Sequence, residues 1–295
     1  MSYSEEIDDG PRRRTAPDLP GTDWANVELP DTWPDTATLR RPRTILEVVT
    51  HLFGKRTKVR LPEGVPGADL IPRYVLQEFH GLPNGNYSNR LTHGYIKGFE
   101  HSMLGELDRA RTAMAERLAD CRAVLDLGCG GGRTGGIILA RGVPEVWGVA
   151  PSPYRLRHAA RACPGMRFAQ GTLERIPLPD DSVDGVAVNF VFHEVPPHYL
   201  RKGLAEIARV LRPGGVLTIA EPSPLQAYRG WRWLARHYGW RGLYFKVLVR
   251  LVHEPFMDAW HRFDVPGEAA GFGFDLDEVV EGMPIKRWAL RRPAA

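Results

Sequence analysis

Short apolar runs alternate with amphipathic segments between residues 120 and 221. The apolar runs end in clusters of Gly, Pro or Asp, and the segments that follow repeat their apolar residues every three to four positions. This alternation is typical of a parallel sheet with helices on both faces, so the fold class is α/β. The runs that predict strands are 124–127, 145–149, 166–169, 183–189 and 216–220.

The segments on either side of this alternation favour helices. Amphipathic or aromatic-rich spacing predicts helices over 44–53, 72–80, 90–118 and 226–252. The resulting division is a partly disordered N-terminal extension over 1–43, a helical cap over 44–119 and a sheet domain over 120–295 with a helical insertion at 226–252. We expect disorder over at least the first 20 residues, which hold no sustained apolar period.

A glycine-rich turn follows the first predicted strand, in the stretch Val124-Leu-Asp-Leu-Gly-Cys-Gly-Gly-Gly-Arg133. Glycines allow close approach of a ligand to the backbone, and the helix that resumes near Thr134 directs its first N–H groups toward the same point. Ligands of open α/β sheets bind at this edge, beyond the carboxyl ends of the strands. The stretch therefore predicts a ligand site.

The same stretch resembles motif I of the class I S-adenosylmethionine (SAM) dependent methyltransferases, "(V/L)LDLGCG(x)G". Two further turns are similar to segments of that superfamily: Pro177-Leu-Pro-Asp-Asp-Ser182 and Leu211-Arg-Pro-Gly-Gly215. The resemblance implies a Rossmann-like, seven-stranded, mostly parallel sheet beneath a helical N-terminal cap. It also implies a closing antiparallel hairpin, for which 274–280 and 285–290 are the candidate strands.

The cofactor implied by this resemblance is SAM. Asp126 and Gly128 are expected near its methionine part, and Gly130 behind its ribose. The full set of candidate cofactor residues is Asp126, Gly128, Cys129, Gly130, Ala150, Pro151, Ser152, Thr172, Leu173, Asn189 and Tyr95.

Two positions depart from the superfamily pattern. Ala150 stands where most members have an acid that accepts hydrogen bonds from both ribose hydroxyls, and Thr172 stands where an Asp commonly binds the adenine amino group. Hydrogen bonds to a charged group contribute about 1.5–3 kcal/mol each, so losing such an acid weakens binding by on the order of a hundredfold. Ser152, Glu174 or Tyr87 are candidate replacements, and a catalytically silent, binding-only relative stays open.

The candidate base follows the fourth predicted strand. Asn189-Phe-Val-Phe-His193-Glu194-Val-Pro resembles the "F.LHH(V/L)" segment of small-molecule methyltransferases, which implies that His193 lies at the pocket. A histidine with an ordinary pKa near 6.5 is suited to accept a proton, although it also serves to fix a backbone or close a pocket. Glu194 beside it, with Tyr87 and His93 from the cap, completes the candidate catalytic set.

The functional hypothesis is an enzyme, a SAM-dependent methyltransferase acting on a small, partly apolar molecule. A second SAM chemistry stays open, in which the amino group of SAM attacks internally and releases methylthioadenosine. A dinucleotide site is disfavoured because the G-x-G-x-x-G at Gly130 begins two residues late and lacks the following acid. A zinc peptidase is disfavoured because His193 and His198 have the wrong spacing and two prolines between them.

Composition narrows the partners and the compartment. The 295 residues carry a formal charge of +4 that is scattered, so no nucleic-acid partner is expected. Three cysteines without a CxxC pair favour neither disulfides nor a metal site, and a cytoplasmic location fits them. Lys246 and Arg250 interrupt the best candidate for a membrane span. For residues 226–252 core packing is the favoured interpretation, and a substrate wall, a homodimer face and a peripheral membrane helix stay open.

Overall fold

The fold was analysed in a computed structural model that describes residues 21–36, 58–78, 84–252, 254 and 256–294. Two sequence predictions, the disorder of the first 20 residues and the helix over 44–53, lie outside these described residues.

A seven-stranded sheet forms the centre of the molecule. Its strands are β1 (Ala123–Leu127), β2 (Glu145–Ala150), β3 (Arg167–Gln170), β4 (Val183–Asn189), β5 (Leu211–Pro222), β6 (Asp275–Val280) and β7 (Ile285–Arg291). The strand order is β3-β2-β1-β4-β5-β7-β6, in which β1 to β5 run parallel and β7 is antiparallel to both of its neighbours. The predicted fold class, a mostly parallel Rossmann-like sheet closed by an antiparallel hairpin, is confirmed.

The predicted strand positions agree closely with the structure, except at the start of β5. Four of the five parallel strands match within one residue at each end. β5 begins earlier than predicted because Leu211 already pairs with Val183, ahead of a register shift in the ladder.

Ten α-helices lie within the described residues. They are α1 (Trp33–Thr36), α2 (Asn89–Ser102), α3 (Glu106–Arg117), α4 (Arg133–Ala140), α5 (Pro153–Ala162), α6 (Pro197–Val210), α7 (Pro224–Tyr228), α8 (Trp231–Leu251), α9 (Met257–His261) and α10 (Val265–Ala270). The helical stretch predicted over 90–118 is present but not continuous. It divides into α2 and α3 at Leu104 and Gly105, whose positive φ angles of 50° and 81° interrupt a helix.

The helix predicted over 72–80 is also wrong within its described part. Only a 3₁₀ turn forms, Arg73–Val75, and Leu76 then leaves the helical region with ψ 51°. The backbone of Val59 donates to the Leu76 carbonyl, and Gln77 forms a β-bridge with Lys58. Pairing with another segment has therefore replaced the local helical bonds.

Alternating residues of the central strands pack on opposite faces of the sheet. Leu125 of β1 belongs to a core that includes Leu200 and Leu204 of α6. Val124 belongs to a second core on the other face, with Leu107 of α3 among others. Two apolar layers thus cover both faces, and the polar ends of the strands are left to form the site.

The N-terminal segment fixes the start of α2. The Asp35 carboxylate accepts hydrogen bonds from Ser88 Oγ (2.6 Å) and from the backbone N–H groups of Asn89 (3.0 Å) and Arg90 (2.7 Å). Burial opposes the charge, but these hydrogen bonds hold the pKa of Asp35 below its ordinary value. A carboxylate at the first turn also complements the helix dipole, so this contact orients α2 over the sheet.

Residues 226–252 do not form one buried helix. A tight turn at Gly239 (φ 58°, ψ −144°) divides α8 into two arms. Leu234 and Phe245 are buried, whereas Trp231, Trp240 and Leu251 are exposed. The favoured core-packing interpretation therefore holds for only one side of this segment. No described helix is both long enough and apolar enough to span a bilayer.

Candidate active site

The glycine turn lies at the carboxyl end of β1. Gly128, Gly130 and Gly132 have φ angles of 74°, 52° and 80°, a region that side chains with a Cβ rarely adopt. The N–H groups of Gly128 and Cys129 both donate to the Val149 carbonyl of β2 (2.8 and 3.0 Å), which fixes the turn against the neighbouring strand.

Asp126 supports this turn from behind. Its side chain is 1% exposed and accepts a hydrogen bond from the Gly135 N–H in the first turn of α4 (2.8 Å). Burial raises its pKa to about 6, although the Gly135 bond acts in the opposite direction. Asp126 does not line the cavity described below.

Helix α2 forms the roof over the glycine turn. A Cβ added at Gly131 would lie 3.1 Å from the Ile96 side chain, so the helix and the turn are in close contact. The roof face is made by Tyr95, Ile96, Phe99 and Glu100, which lie on adjacent positions one turn apart.

A cavity of ≈ 170 Å³ lies between this roof and the strand ends. One buried water needs roughly 10–15 Å³ on the same measure, so the cavity accommodates an organic ligand many times larger. The predicted residues that line it are Tyr87, Tyr95, Gly128, Cys129, Gly130, Ala150, Pro151, Ser152, Thr172, Leu173, Asn189, His193 and Glu194.

His93 lies away from this group. It is exposed in the first turns of α2, and its ring packs at 5.4 Å from that of His158 on α5. The structure therefore brings together every predicted site residue except Asp126 and His93.

The cavity that Ala150 lines also holds a guanidinium group. Arg155 of α5 lines the cavity there, donates to Asn86 Oδ1 and lies 4.9 Å from the Tyr95 ring centroid. A Cβ on Gly130 would lie 3.7 Å from Arg155 Nη1. A guanidinium therefore lies beside the glycine turn, in the cavity where the superfamily pattern has an acid.

The three candidate replacements for that acid have different positions. The Ser152 hydroxyl donates to the Asn86 carbonyl (2.8 Å) and caps α5 by accepting from Arg155 N. Glu174 accepts from Tyr74 OH (2.7 Å) and does not line the cavity. Tyr87 is 1% exposed and lines the cavity, where burial raises its pKa and keeps its hydroxyl neutral.

A buried carboxylate organises the turn after β4. Glu221, near the end of β5, accepts hydrogen bonds at Oε1 from the backbone N–H groups of Val191 and Phe192, both at 2.7 Å. Its Oε2 lies 2.6 Å from His193 Nδ1. Phe190 begins this turn with φ 58°, an unfavourable value for a residue with a side chain.

The Glu221 contact determines which nitrogen of His193 carries the proton. A carboxylate that already accepts two N–H bonds acts as an acceptor, so Nδ1–H donates and Nε2 keeps its lone pair. Burial alone would lower the pKa of His193, but the charge and hydrogen bond of Glu221 outweigh it, and the net pKa is raised above 6.5. The pair is therefore a positioned, basic imidazole at the cavity wall.

Comparison with known proteins agrees with this arrangement. Residues 125–219 match a family described as a methyltransferase domain. An uncharacterized methyltransferase of Mycobacterium tuberculosis is 38% identical over 122 residues, which cover 39% of this chain and 49% of the relative. Residues 125–219 are therefore similar to a methyltransferase domain, which agrees with the resemblance to the class I SAM-dependent methyltransferases.

Two other relatives of this chain have substrates in their names. Trans-aconitate 2-methyltransferase of Azoarcus sp. is 39% identical over 106 residues, covering 36% of this chain and 41% of the relative. Phthiotriol/phenolphthiotriol dimycocerosates methyltransferase of Mycobacterium leprae is 34% identical over 125 residues, covering 41% and 45%. The chain spans about half the length of the curated relatives it matches.

A solved structure can also be aligned with part of this chain. The SAM-dependent methyltransferase of Mesorhizobium loti has a TM-score of 0.46 and 22% identity, covering 63% of this chain and all of that one.

Two observations test whether the cavity fits SAM. Asn189 Nδ2 donates to Thr134 Oγ1 (3.3 Å), while the buried Asn189 Oδ1 has no partner among the described residues and is suited to accept from an amino group. The glycines with positive φ angles present backbone without side chains to the cavity. Both features fit a ligand with an amino acid portion, and Arg155 is the feature that the superfamily pattern does not account for.

Sequence reasoning missed Glu221 and Arg155. Glu221 directly follows the predicted fifth strand, and side chains at the carboxyl ends of parallel strands meet at one edge, so its position carried a usable signal. Arg155 lies in one of the amphipathic segments between the predicted strands, where an arginine is usually solvent-exposed. Of the residues of α2 that line the cavity, sequence reasoning indicated Tyr95 and missed Ile96, Phe99 and Glu100.

Proposed function

We propose that the protein is a SAM-dependent methyltransferase that acts on a small, partly apolar acceptor held between the glycine turn and helix α2. The observation that carries this proposal is the His193–Glu221 pair at 2.6 Å, whose imidazole lines the same cavity as the glycine turn. A positioned base in the same cavity as the glycine turn supports methyl transfer to an acceptor that must lose a proton.

The glycine turn, Ala150 and Asn189 are the residues that would hold SAM, with Asn189 Oδ1 toward its amino group and Ala150 toward its ribose. The sulfonium of SAM supplies an activated methyl group, so the protein has mainly to position the acceptor and exclude water. Arg155 and Asn86 supply polar contacts at the ribose end in place of the customary acid.

His193 is the residue that would remove the proton of the acceptor. Its Nε2 accepts the proton while Nδ1–H stays bonded to Glu221, which stabilises the positive charge that forms on the ring. Because Glu221 also holds the N–H groups of Val191 and Phe192, the same carboxylate fixes the position of the base.

The apolar side chains around the cavity support an acceptor with an apolar part. Tyr95 and Phe99 of the roof face Phe190 and Val191 of the β4 turn, and Val195 follows. The named relatives act on trans-aconitate and on phthiotriol/phenolphthiotriol dimycocerosates, so they favour no single acceptor class for this chain.

Calorimetry with SAM and with S-adenosylhomocysteine tests the proposal. We expect saturable heat with both ligands, and its loss in a Gly130→Val variant that folds normally. No heat with either ligand at millimolar concentration would contradict an enzymatic role and leave a silent relative. Release of methylthioadenosine from SAM alone would instead identify internal displacement, because methyl transfer requires an acceptor.

A further inference from the structure

The segment from Pro222 to His253 has an unusual charge pattern. It contains no Asp or Glu over 32 residues. Its basic residues are Arg229, Arg232, Arg236, Arg241, Lys246 and Arg250. This segment is therefore more positive than the whole chain, which has a net charge of +4.

Helix α8 folds back on itself within this segment and forms what we call the aromatic hairpin, Trp231–Leu251. The turn is at Gly239, and a Cβ added at Gly242 would lie 2.6 Å from the Leu234 carbonyl oxygen, so the two arms are closely packed. Arg250 of the second arm lies 5.1 Å from the Trp231 ring of the first. The hairpin is thus a defined structure rather than an extended helix.

The second arm presents an apolar stripe to solvent. Trp240 is 65% exposed and Leu251 is 75% exposed, with the exposed Val247 between them. Spacings of seven and four residues place the three side chains on one side of a helix. Tyr228 and Trp231 add exposed aromatic surface near the start of the hairpin.

Some basic side chains of the segment are already engaged within the protein. Arg241 pairs with Glu106 (2.5 Å), and the Lys246 ammonium donates to the carbonyls of Gln226, Ala227 and Arg229. The exposed arginines Arg229, Arg232, Arg236 and Arg250 pair with no carboxylate in the part of the chain that the structure describes. The segment that carries the apolar stripe thus holds four guanidinium groups with no carboxylate partner among the described residues.

We propose that the aromatic hairpin docks onto the surface of an anionic phospholipid membrane. Tryptophan rings favour the membrane–water interface, and guanidinium groups bind phosphate oxygens in a bidentate manner. The exposed Leu251 and Val247 enter the acyl boundary, as in amphipathic helices that lie in the plane of a membrane. The hairpin supplies all three components on one segment.

Charge argues against the two other occupants of such a surface. A second copy would bring two positive hairpins together, and like charges repel across an interface. A nucleic acid would satisfy the arginines and stack on the tryptophans, but it offers no apolar environment for Leu251 and Val247. An anionic lipid surface matches both the charge and the aliphatic side chains.

The hairpin also contacts the end of the cavity roof. Tyr244 OH donates to the Ser102 carbonyl (2.8 Å) at the end of α2, and Arg241 donates to the Leu104 carbonyl (3.1 Å). Docking would therefore bring the roof of the cavity near the lipid surface, where apolar molecules accumulate. The docking itself does not depend on the proposed methyl transfer.

Co-sedimentation of the full chain with vesicles tests the proposal. We expect binding to vesicles of equal phosphatidylglycerol and phosphatidylcholine, weaker binding at 0.5 M salt, and little binding to phosphatidylcholine alone. Tryptophan fluorescence should shift to shorter wavelength on binding. Charge reversal in Arg232→Glu/Arg236→Glu should lower partitioning at least tenfold, and Leu251→Glu should lower it by a similar factor.

Matched variants elsewhere on the surface provide the controls. Arg175→Glu/Lys202→Glu makes the same charge change at exposed positions outside the hairpin, and Leu276→Glu replaces a leucine that is 45% exposed on β6. Both should bind vesicles like the unaltered chain. Since every changed residue is exposed, circular dichroism should be unchanged in all four variants.

Three outcomes would overturn the proposal. One is the absence of binding to anionic vesicles by the unaltered chain, whatever the variants do. Another is an equal loss of binding in the hairpin and control variants. The third is a dimer in light scattering, or binding to an oligonucleotide, that the hairpin arginines control while vesicles are not bound.

Discussion

The floor and the roof of the cavity are built in different ways. The floor consists of the turns after β1 and β4, and each turn is fixed by backbone N–H bonds, to the Val149 carbonyl or to the Glu221 carboxylate. The roof is one face of α2, held at its start by Asp35 and at its end by Tyr244. Floor geometry therefore depends on the sheet, whereas roof geometry depends on a few side chains.

This difference predicts how each half responds to substitution. A change in the floor disturbs chain conformation and the position of the base at once. A change in the roof alters the fit of a ligand and leaves the sheet intact.

The largest effect is expected for the base. His193→Gln should lower kcat by about 10²–10⁴-fold, the usual contribution of general base catalysis, with little effect on SAM binding. Steady-state kinetics and calorimetry measure the two quantities. His93→Gln, outside the cavity, is the matched control, and an equal loss of rate in both variants would exclude His193 as the base.

The pH dependence of the rate provides a related test. His193 must be neutral to accept a proton, and its pKa is raised, so kcat should fall as pH drops through a value above 6.5. Glu221→Gln removes the charge that raises the pKa of His193. The acidic limb of the pH–rate profile should therefore move to lower pH, and the maximal rate should fall. An unchanged limb in this variant would show that another group controls it.

Gly128→Ala should be the most destabilising single change in the floor. The left-handed backbone costs about 1–2 kcal/mol for an L residue, and the new Cβ would lie 2.3 Å from Val191 Cγ2, which adds about 1–3 kcal/mol. Urea unfolding measures the loss. Gly105→Ala (φ 81°, nothing within 4 Å) carries the backbone cost alone and should be the milder variant.

Asp126 should make the floor less stable as pH rises. Its folded pKa of about 6 exceeds the ordinary 3.8, so the native state binds more protons between these values and stability falls across that window. At about 1.4 kcal/mol per pKa unit the change is at most about 3 kcal/mol. Thermal unfolding of Asp126→Asn between pH 4 and 7 should lack this decline.

Asp184, at the other end of β4, supplies a control of opposite sign. Although burial raises its pKa, hydrogen bonds from Arg212 and from the backbone of Ala123 and Arg122 produce a net lowering. Its stabilisation is present above pH 3.8 and is lost as pH falls. Asp184→Asn should therefore destabilise the protein at neutral pH. If this variant instead removed a decline in stability with rising pH, as expected for Asp126→Asn, the assignment would be contradicted.

The smallest effect on the fold is expected in the roof. Phe99→Ala removes half-buried apolar surface from the cavity face, so we expect KM to rise roughly tenfold, with a loss of about 1 kcal/mol or less in unfolding free energy. Lys97→Ala, exposed on the same helix, should change neither quantity. A large loss of stability in Phe99→Ala would abolish the contrast between floor and roof.

The same contrast explains what the sequence could predict. Apolar runs that end in glycine or polar residues predict strands β1 and β4. Because the sheet is parallel, the carboxyl ends of these strands lie at the same edge. The positions of Gly128 and His193 at the cavity follow from that rule together with the superfamily resemblance.

No such rule predicts the structure of the roof. Amphipathic spacing predicts one helical stretch over α2 and α3. The positive φ angles of Leu104 and Gly105, which divide it, do not follow from that spacing. Arg155 reaches the cavity through its contacts with Asn86 and Tyr95, which are distant in sequence. The aromatic hairpin depends on a single glycine conformation at Gly239, and its spacing alone could not reveal which side is buried.

The left-handed conformation of Phe190 has an evolutionary consequence. Such a conformation costs about 1–3 kcal/mol in a residue other than glycine, and the Glu221 bonds to the next two amides help to restrain it, together with the bond from the Phe190 N–H to the Ala220 carbonyl. Replacing Glu221 would thus release the loop as well as the imidazole. A lineage that first acquired glycine or asparagine at position 190 would tolerate that loss, so the two positions should be epistatic and should change in a fixed order.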